Sequence, residues 1–176
     1  MIRMVNTALL LSSAFFCLGS SVPAHAQGKT QPGDPREPMP FAINYGSPIS
    51  AARARAVISA GVAECDRRGW NMVFAVVDSG GNLVSLERMD GAQTASIAIA
   101  EHKAKAAAAF RRETKVFETA VQNGNVGVLS LDGAIASPGG IPLVEAGKII
   151  GAIGVSGGSG AQDQVCASAG MLALGK

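Results

Sequence analysis

The sequence predicts an α+β domain, an antiparallel sheet of about five strands with helices packed on it. Three observations lead there. Segments near 50–69 and 94–110 repeat apolar or small residues at helical spacing. Five short runs rich in β-branched residues are bounded by glycine- and asparagine-containing turns. Some of those turns are too short for anything but a hairpin, so the strands are antiparallel, and helices must cover at least one face. The order helix, hairpin, helices, strands, helix is not that of a doubly wound sheet, and no internal repeat is visible.

The first 26 residues carry Arg3, an apolar stretch from Ala8 to Leu18, and Ala24-His25-Ala26. That is the form of a Sec signal peptide, so residues 1–26 are expected to be removed and the mature protein to be periplasmic or secreted, with no membrane span. Residues 27–46 hold Pro32, Pro35, Pro38 and Pro40 among polar neighbours and are expected to be an extended tail. Residues 47–176 then form a single domain.

Ser50 is a good N-cap, with Ile49 and Ala54 placed as a hydrophobic staple. Ala54, Val57, Ile58, Gly61, Val62 and Cys65 fall on one helical stripe, and Gly69 suits the stop. Met72 to Val77 is a buried strand, Asp78-Ser79-Gly80-Gly81-Asn82 a turn, and Leu83 to Arg88 the return strand. Thr94 to Phe110 is an alanine-rich helix whose C-terminal end is favoured by Arg111-Arg112. A short helix is expected over 115–122. Strands are expected over 126–131, 141–145 and 148–155, with Ala146-Gly147 as the last hairpin turn. A final helix over 161–174 is read with Val165, Ala169, Leu172 and Ala173 inward.

Composition narrows function. The chain has 176 residues, 48% hydrophobic, 16% charged, with a formal net charge of +2. A wholly disordered chain is excluded, and nucleic-acid binding by phosphate neutralisation is not expected. After cleavage His102 is the single histidine, and Cys65 and Cys166 are the two cysteines. Neither a zinc site of two Cys and two His nor a four-cysteine cluster can be built from these. The two cysteines could pair in an oxidising compartment or remain small buried hydrophobes.

Three constellations could carry chemistry. Lys103 lies on an apolar helical stripe with Ile99 and Ala107; such a lysine either snorkels or lines a pocket, where it could act as acid or base. His102 beside it either faces solvent or serves as a haem ligand or proton shuttle. The loops Pro138-Gly139-Gly140 and Gly157-Gly158-Ser159-Gly160 either serve turn geometry or let an anionic group approach backbone at a helix N-terminus. Asp78, Arg88, Asp90 and Asp163 are turn residues, structural ion pairs, or a carboxylate-holding and proton-moving set.

Several ordered motifs together resemble the GlcG/HbpS family. They are Val77-Asp78-Ser79-Gly80-Gly81-Asn82-Leu83-Val84, Arg88-Met89-Asp90-Gly91-Ala92, Lys103-Ala104, Phe110-Arg111-Arg112 with Thr114, Pro138-Gly139-Gly140-Ile141-Pro142-Leu143, and Gly151 to Gly158 followed by Asp163. The resemblance spans about Ile49 to Leu174. It implies a compact α+β domain, homo-oligomers, and haem binding or degradation, with similarity to the PduO carboxy-terminal domain. Other relatives act on small organic molecules by elimination or ring opening. Family-like positions are Asp78, Arg88, Asp90, Lys103, Gly139, Gly140 and Asp163; His102 adjoins the lysine without belonging to the pattern.

The leading expectation is therefore a periplasmic protein that binds haem, another tetrapyrrole or a small ligand. His102 would bind haem iron, with Arg88, Gly139, Gly140, Gly157, Gly158 and Asp163 around the ligand. The alternative is a cofactor-independent lyase or isomerase acting on a small carboxylated aromatic compound, with Lys103, Asp78 and Asp90 as catalytic groups.

Overall fold

The structure, a computed structural model, describes residues 41–175. The expected signal peptide and most of the proline-rich tail lie outside the described residues. The elements are β1 (Asn44–Tyr45), α1 (Ala51–Arg68), β2 (Val73–Asp78), β3 (Leu83–Arg88), α2 (Ser96–Phe110), α3 (Lys115–Gln122), a 3-10 segment (Val126–Ser130), β4 (Gly140–Glu145), β5 (Lys148–Ser156) and α4 (Gly160–Leu172).

The local signals explain most boundaries. The Ser50 hydroxyl accepts the Arg53 N–H at 3.3 Å and starts α1. Gly69, at φ +67, ends it in the left-handed conformation. Ala146 and Gly147 both have positive φ, the turn that matches the twist of a two-residue hairpin between β4 and β5. Ser159 and Gln162 form a reciprocal capping box at the head of α4.

β5 is the centre of the sheet. It pairs antiparallel with β4 on one edge and with β2 on the other, and β2 pairs antiparallel with β3. The period of two along β2 divides the core. Phe74 and Val76 face a cluster that includes Val57, Ile58 and Cys65 of α1 and Cys166 and Ala167 of α4. Val73, Ala75 and Val77 face the alanines of α2. The sheet is thus sandwiched, α2 on one face and α1 with α4 on the other. Residues 73–77 are fully buried because both faces are covered.

Small residues set the depth of α2. A Cβ on Gly154 would come within 2.5 Å of the Ala104 nitrogen and closer still to the Ala100 carbonyl oxygen. The alanine-rich helix and the glycine-bearing strand therefore allow backbone to approach backbone, closer than larger side chains would permit.

Three sequence expectations need correction. Residues 126–131 are not a strand. They form a 3-10 segment in which the Ser130 hydroxyl donates to Gly127 O at 2.8 Å, a local bond that competes with strand pairing. The sheet's fifth strand is instead Asn44–Tyr45, inside the stretch read as tail, which pairs in parallel with Lys148 and Ile149. The inward face of α4 is also rotated. Val165 and Leu172 are 37% and 63% exposed, while Asp163, Cys166, Ala167 and Gly170 are buried. Hydrophobicity along so small-residue a helix does not fix its rotation; a disulfide and an ion pair do.

The disulfide joins Cys65 of α1 to Cys166 of α4, 101 residues apart, with Cα atoms 5.9 Å from each other. Both cysteines are fully buried.

The β2–β3 turn is organised by Asp78. Its Oδ1 accepts the N–H groups of Gly80 at 2.8 Å and Asn82 at 2.9 Å. Partial burial pushes this carboxyl up, but the N–H groups of Asn82, Gly80 and Gly81 and the Asn82 carboxamide outweigh that, and it titrates below the ordinary aspartate range. A depressed carboxyl stabilises the fold above its unfolded value of about 3.9, and that contribution is lost as pH falls through the lower folded value. The stability difference between wild type and Asp78→Asn, from urea titrations at several pH values, is expected to be largest near neutrality and to shrink below about pH 4. A difference that stays constant with pH would show that the Asp78 charge contributes nothing.

Candidate functional site

Lys103 sits on the face of α2 that meets the sheet, with Ala100, Ala104 and Ala107. Its side chain is 1% exposed. The ammonium donates to Asp163 Oδ2 at 2.6 Å and to the Val155 carbonyl at 3.1 Å. The other oxygen of Asp163 accepts the Gly158 N–H at 3.0 Å. One buried pair therefore ties together α2, the end of β5, the glycine loop after it and the first turn of α4. Burial pushes the Asp163 carboxyl up, against the pull of the Lys103 ammonium and of the Gly158 and Gly157 amides. A charged pair this deep needs such additional hydrogen bonds to offset its desolvation.

This geometry gives the glycine loops a definite role. The N-terminus of α4 attracts an anion, and the anion there is the protein's own Asp163. Gly139 has φ +112, and a Cβ there would lie 2.7 Å from the Val155 carbonyl oxygen and 2.8 Å from Asp163 Cβ. The Gly139 N–H donates to Gln164 Oε1 at 3.0 Å, and the Gly140 N–H to Thr114 Oγ1 at 3.0 Å. The N–H groups of Gly139, Gly140, Gly158 and Ser159 are thus spent inside the protein.

The remaining sequence-selected residues are dispersed. Asp78 pairs in register with Gly151, four residues along β5 from the Val155 carbonyl that binds Lys103. At strand rise that is about 13 Å. Arg88, exposed at the end of β3, donates from Nε to Ala92 O at 3.1 Å. Asp90 is exposed in the turn that follows. So the fold brings Lys103, Asp163, Gly139, Gly140, Gly157 and Gly158 together, holds Arg88 at the end of β3 with Asp90 in the turn after it, and leaves Asp78 remote.

His102 projects from the outer side of α2. It is exposed, with Nε2 3.2 Å from the Gly133 carbonyl oxygen. If Nε2 donates that bond, Nδ1 carries the lone pair and is free to bind a metal; histidine ligands commonly hold their second nitrogen on a carbonyl in this way. The segment ending at Gly133 displays Val126, Leu129 and Leu131, exposed by 62%, 58% and 46%. An exposed imidazole held through one ring nitrogen on a backbone carbonyl fits the requirements of a haem ligand. Among the described residues there is no group of three or more His, Cys, Asp and Glu that could hold a bare metal ion.

Residues not singled out as site candidates from the sequence complete the picture. Thr114 is buried, accepts the Gly140 N–H and donates to Ser137 O at 2.6 Å. Ser156 donates to Ser96 at 3.2 Å in the core. A cleft of about 320 Å³ beside the glycine loop is lined in part by Trp70, Asn71, Met72, Gln93 and Gln162. Two of these had a readable signal: Thr114 within the family-like motif, and Gln162 three residues after Ser159 in capping-box spacing.

The fold and this buried cation–carboxylate clamp define a class: a small α+β domain whose central strand, glycine loops and last helix are locked by one internal ion pair. Residues 49–172 match the family model described as "Haem degrading protein HbpS-like", and the chain belongs to the HbpS-like family. Protein GlcG of Escherichia coli strain K12 is 41% identical over 108 residues, which are 61% of this chain and 81% of GlcG. Among solved structures, Klebsiella pneumoniae protein ORFY superposes with a TM-score of 0.70 at 31% identity, covering 79% of this chain and 98% of that one. A structure described as a PduOC:haem complex superposes with a TM-score of 0.66 at 28% identity, covering 72% and 94%. Haem binding is thus a property found among the relatives of this fold. No helix among the described residues is long and apolar enough to cross a membrane.

Proposed function

We propose that this chain is an exported haem- or tetrapyrrole-binding protein with His102 as the ligand to iron. The observation that carries this reading is the placement of His102: exposed, with Nε2 3.2 Å from the carbonyl oxygen of Gly133, which follows in the chain the segment that leaves Val126, Leu129 and Leu131 in solvent. Bound haem would supply a redox-active iron; the chain supplies the imidazole, its orientation and an apolar surface against the macrocycle. Lys103, sealed against Asp163, is not placed to reach a propionate. The haem complex of a relative supports the ligand class. The Cys65–Cys166 disulfide and the Ala24-His25-Ala26 pattern support a periplasmic or secreted location. Val126, Leu129 and Leu131, each exposed, supply apolar side chains that favour self-association into a homo-oligomer.

A lyase or isomerase using Lys103 would need an ammonium that is not already sealed in a buried ion pair. Lys103 already has its carboxylate, and Asp78 lies at the far end of the β2–β5 pairing.

The test is a haemin titration of the mature protein, wild type beside His102→Ala, read in the Soret region. Wild type is expected to saturate near one haem per chain with a shifted band, and His102→Ala to lose the shift. Because His102 is exposed, the variant is expected to melt like wild type. Unsaturable binding, or identical spectra for the two proteins, would overturn the assignment.

A further inference from the structure

The cleft beside the glycine loop has a chemistry of its own. It measures about 320 Å³, and its side-chain lining is Trp70, Asn71, Met72, Gln93 and Gln162, an indole, a thioether and three carboxamides. No charged side chain lines it among the described residues. His102 is not part of it; that residue contacts Gly133 instead.

The hydrogen-bonding groups left open in the cleft specify what fits. The Gly158 N–H is taken by Asp163 and the Ser159 N–H by Gln162 Oε1 at 2.8 Å, so the head of α4 offers an incoming anion neither of these donors. Gln162 keeps its amide N–H groups. Among the described residues, Asn71 and Gln93 have no side-chain hydrogen bond and keep both donor and acceptor. A carboxamide pairs best with a group that also presents a donor beside an acceptor, which means another amide or a lactam. The thioether, and the indole on the side not covered by the Arg68 guanidinium 5.1 Å from its centroid, favour a flat π system against them. The volume is at the small end for ligand pockets, enough for one ring and not for a tetrapyrrole.

The glycines keep this space. A Cβ on Gly158 would lie 2.5 Å from Gln162 Oε1 and 2.9 Å from Met72 Cε, and a Cβ on Gly91 would lie 2.8 Å from Asn71 Nδ2. Side chains there would displace the carboxamides and the thioether that form the walls.

We propose that this cleft binds an uncharged planar ring bearing a lactam or primary amide, at a site separate from His102. The inference does not depend on haem binding. The chain contains a single tryptophan, Trp70, so its emission reports occupancy of the cleft directly. The probes are nicotinamide and uracil, with nicotinate as the charged counterpart of the first. Saturable change of Trp70 emission is expected with at least one neutral probe, and binding of nicotinate about tenfold weaker or more than that of nicotinamide. Asn71→Ala is expected to weaken the neutral probe by about tenfold, the loss of a paired carboxamide, while melting and the haemin titration stay as in wild type. Linear quenching without saturation by both neutral probes would overturn the proposal. So would nicotinate binding as tightly as nicotinamide, or full affinity in Asn71→Ala.

Discussion

Lys103→Met is expected to destabilise the domain by about 3–5 kcal/mol, because it leaves the Asp163 carboxylate buried without its cation. Asp163 is 3% exposed, and the Gly158 amide alone cannot replace an ammonium 2.6 Å away. The midpoint of urea unfolding, with its slope unchanged, reads the loss. The double variant Lys103→Met with Asp163→Leu is expected to recover most of it, since a buried ion pair contributes little more than a well-packed apolar pair. That contrast separates the clamp from simple packing. If the single variant were as stable as wild type, the pair would not be the lock described above. If the double variant were worse than the single one, the pair would owe its effect to shape and not to charge. Because Lys103 is sealed, neither variant is expected to alter the haemin spectrum of protein that remains folded.

The second large effect is expected from the disulfide. Reduction, or replacing both Cys65 and Cys166 by alanine, is expected to cost about 4–5 kcal/mol. The bridge closes a loop of 101 residues, and releasing it returns that loop's entropy to the unfolded chain. Melting with and without reductant reads it, with an expected fall on the order of 10–20 °C. Both sulfurs are buried, so reduction is expected to require transient opening and to be slow in the native protein. A melting temperature unchanged by complete reduction would show that α1 and α4 hold each other by packing alone. These two links act on the same helix. The bridge fixes α4 against α1, and the ion pair fixes it against α2 and β5. Together they explain why its buried face runs through Asp163, Cys166, Ala167 and Gly170.

The readable parts of the sequence were those whose signal is local. Ser50 and Gly69 marked the ends of α1 because a cap is a bond within one turn. Asp78 to Asn82 marked a hairpin because its hydrogen bonds span four residues. The alternation along β2 was hidden by burial on both faces, yet the run itself still read as a strand. Val126 to Leu131 misled for the opposite reason. Its residues suit a strand, but a strand also needs a partner edge, and here Asn44–Tyr45 supplied the fifth strand. The site followed the same rule. Lys103 stood out as a charge on an apolar stripe, and Gly139, Gly140, Gly157 and Gly158 stood out as loop glycines. That Asp163 is the partner of Lys103, sixty residues away in the chain, was not readable, and neither was the gathering of Asn71, Gln93 and Gln162 around one cleft.

The sequence by itself determined the α+β class, most of the helices and strands, the family, and the residue types available for chemistry, because propensity, capping and turn geometry act over a few residues. The tertiary structure alone decided which face of α4 is buried, that the anion at its head is the protein's own Asp163, that Cys65 and Cys166 are linked, and that His102 faces outward. Those outcomes depend on contacts between segments far apart in the chain. Only the packed sheet, by bringing those segments within bonding distance, settles which charge meets which.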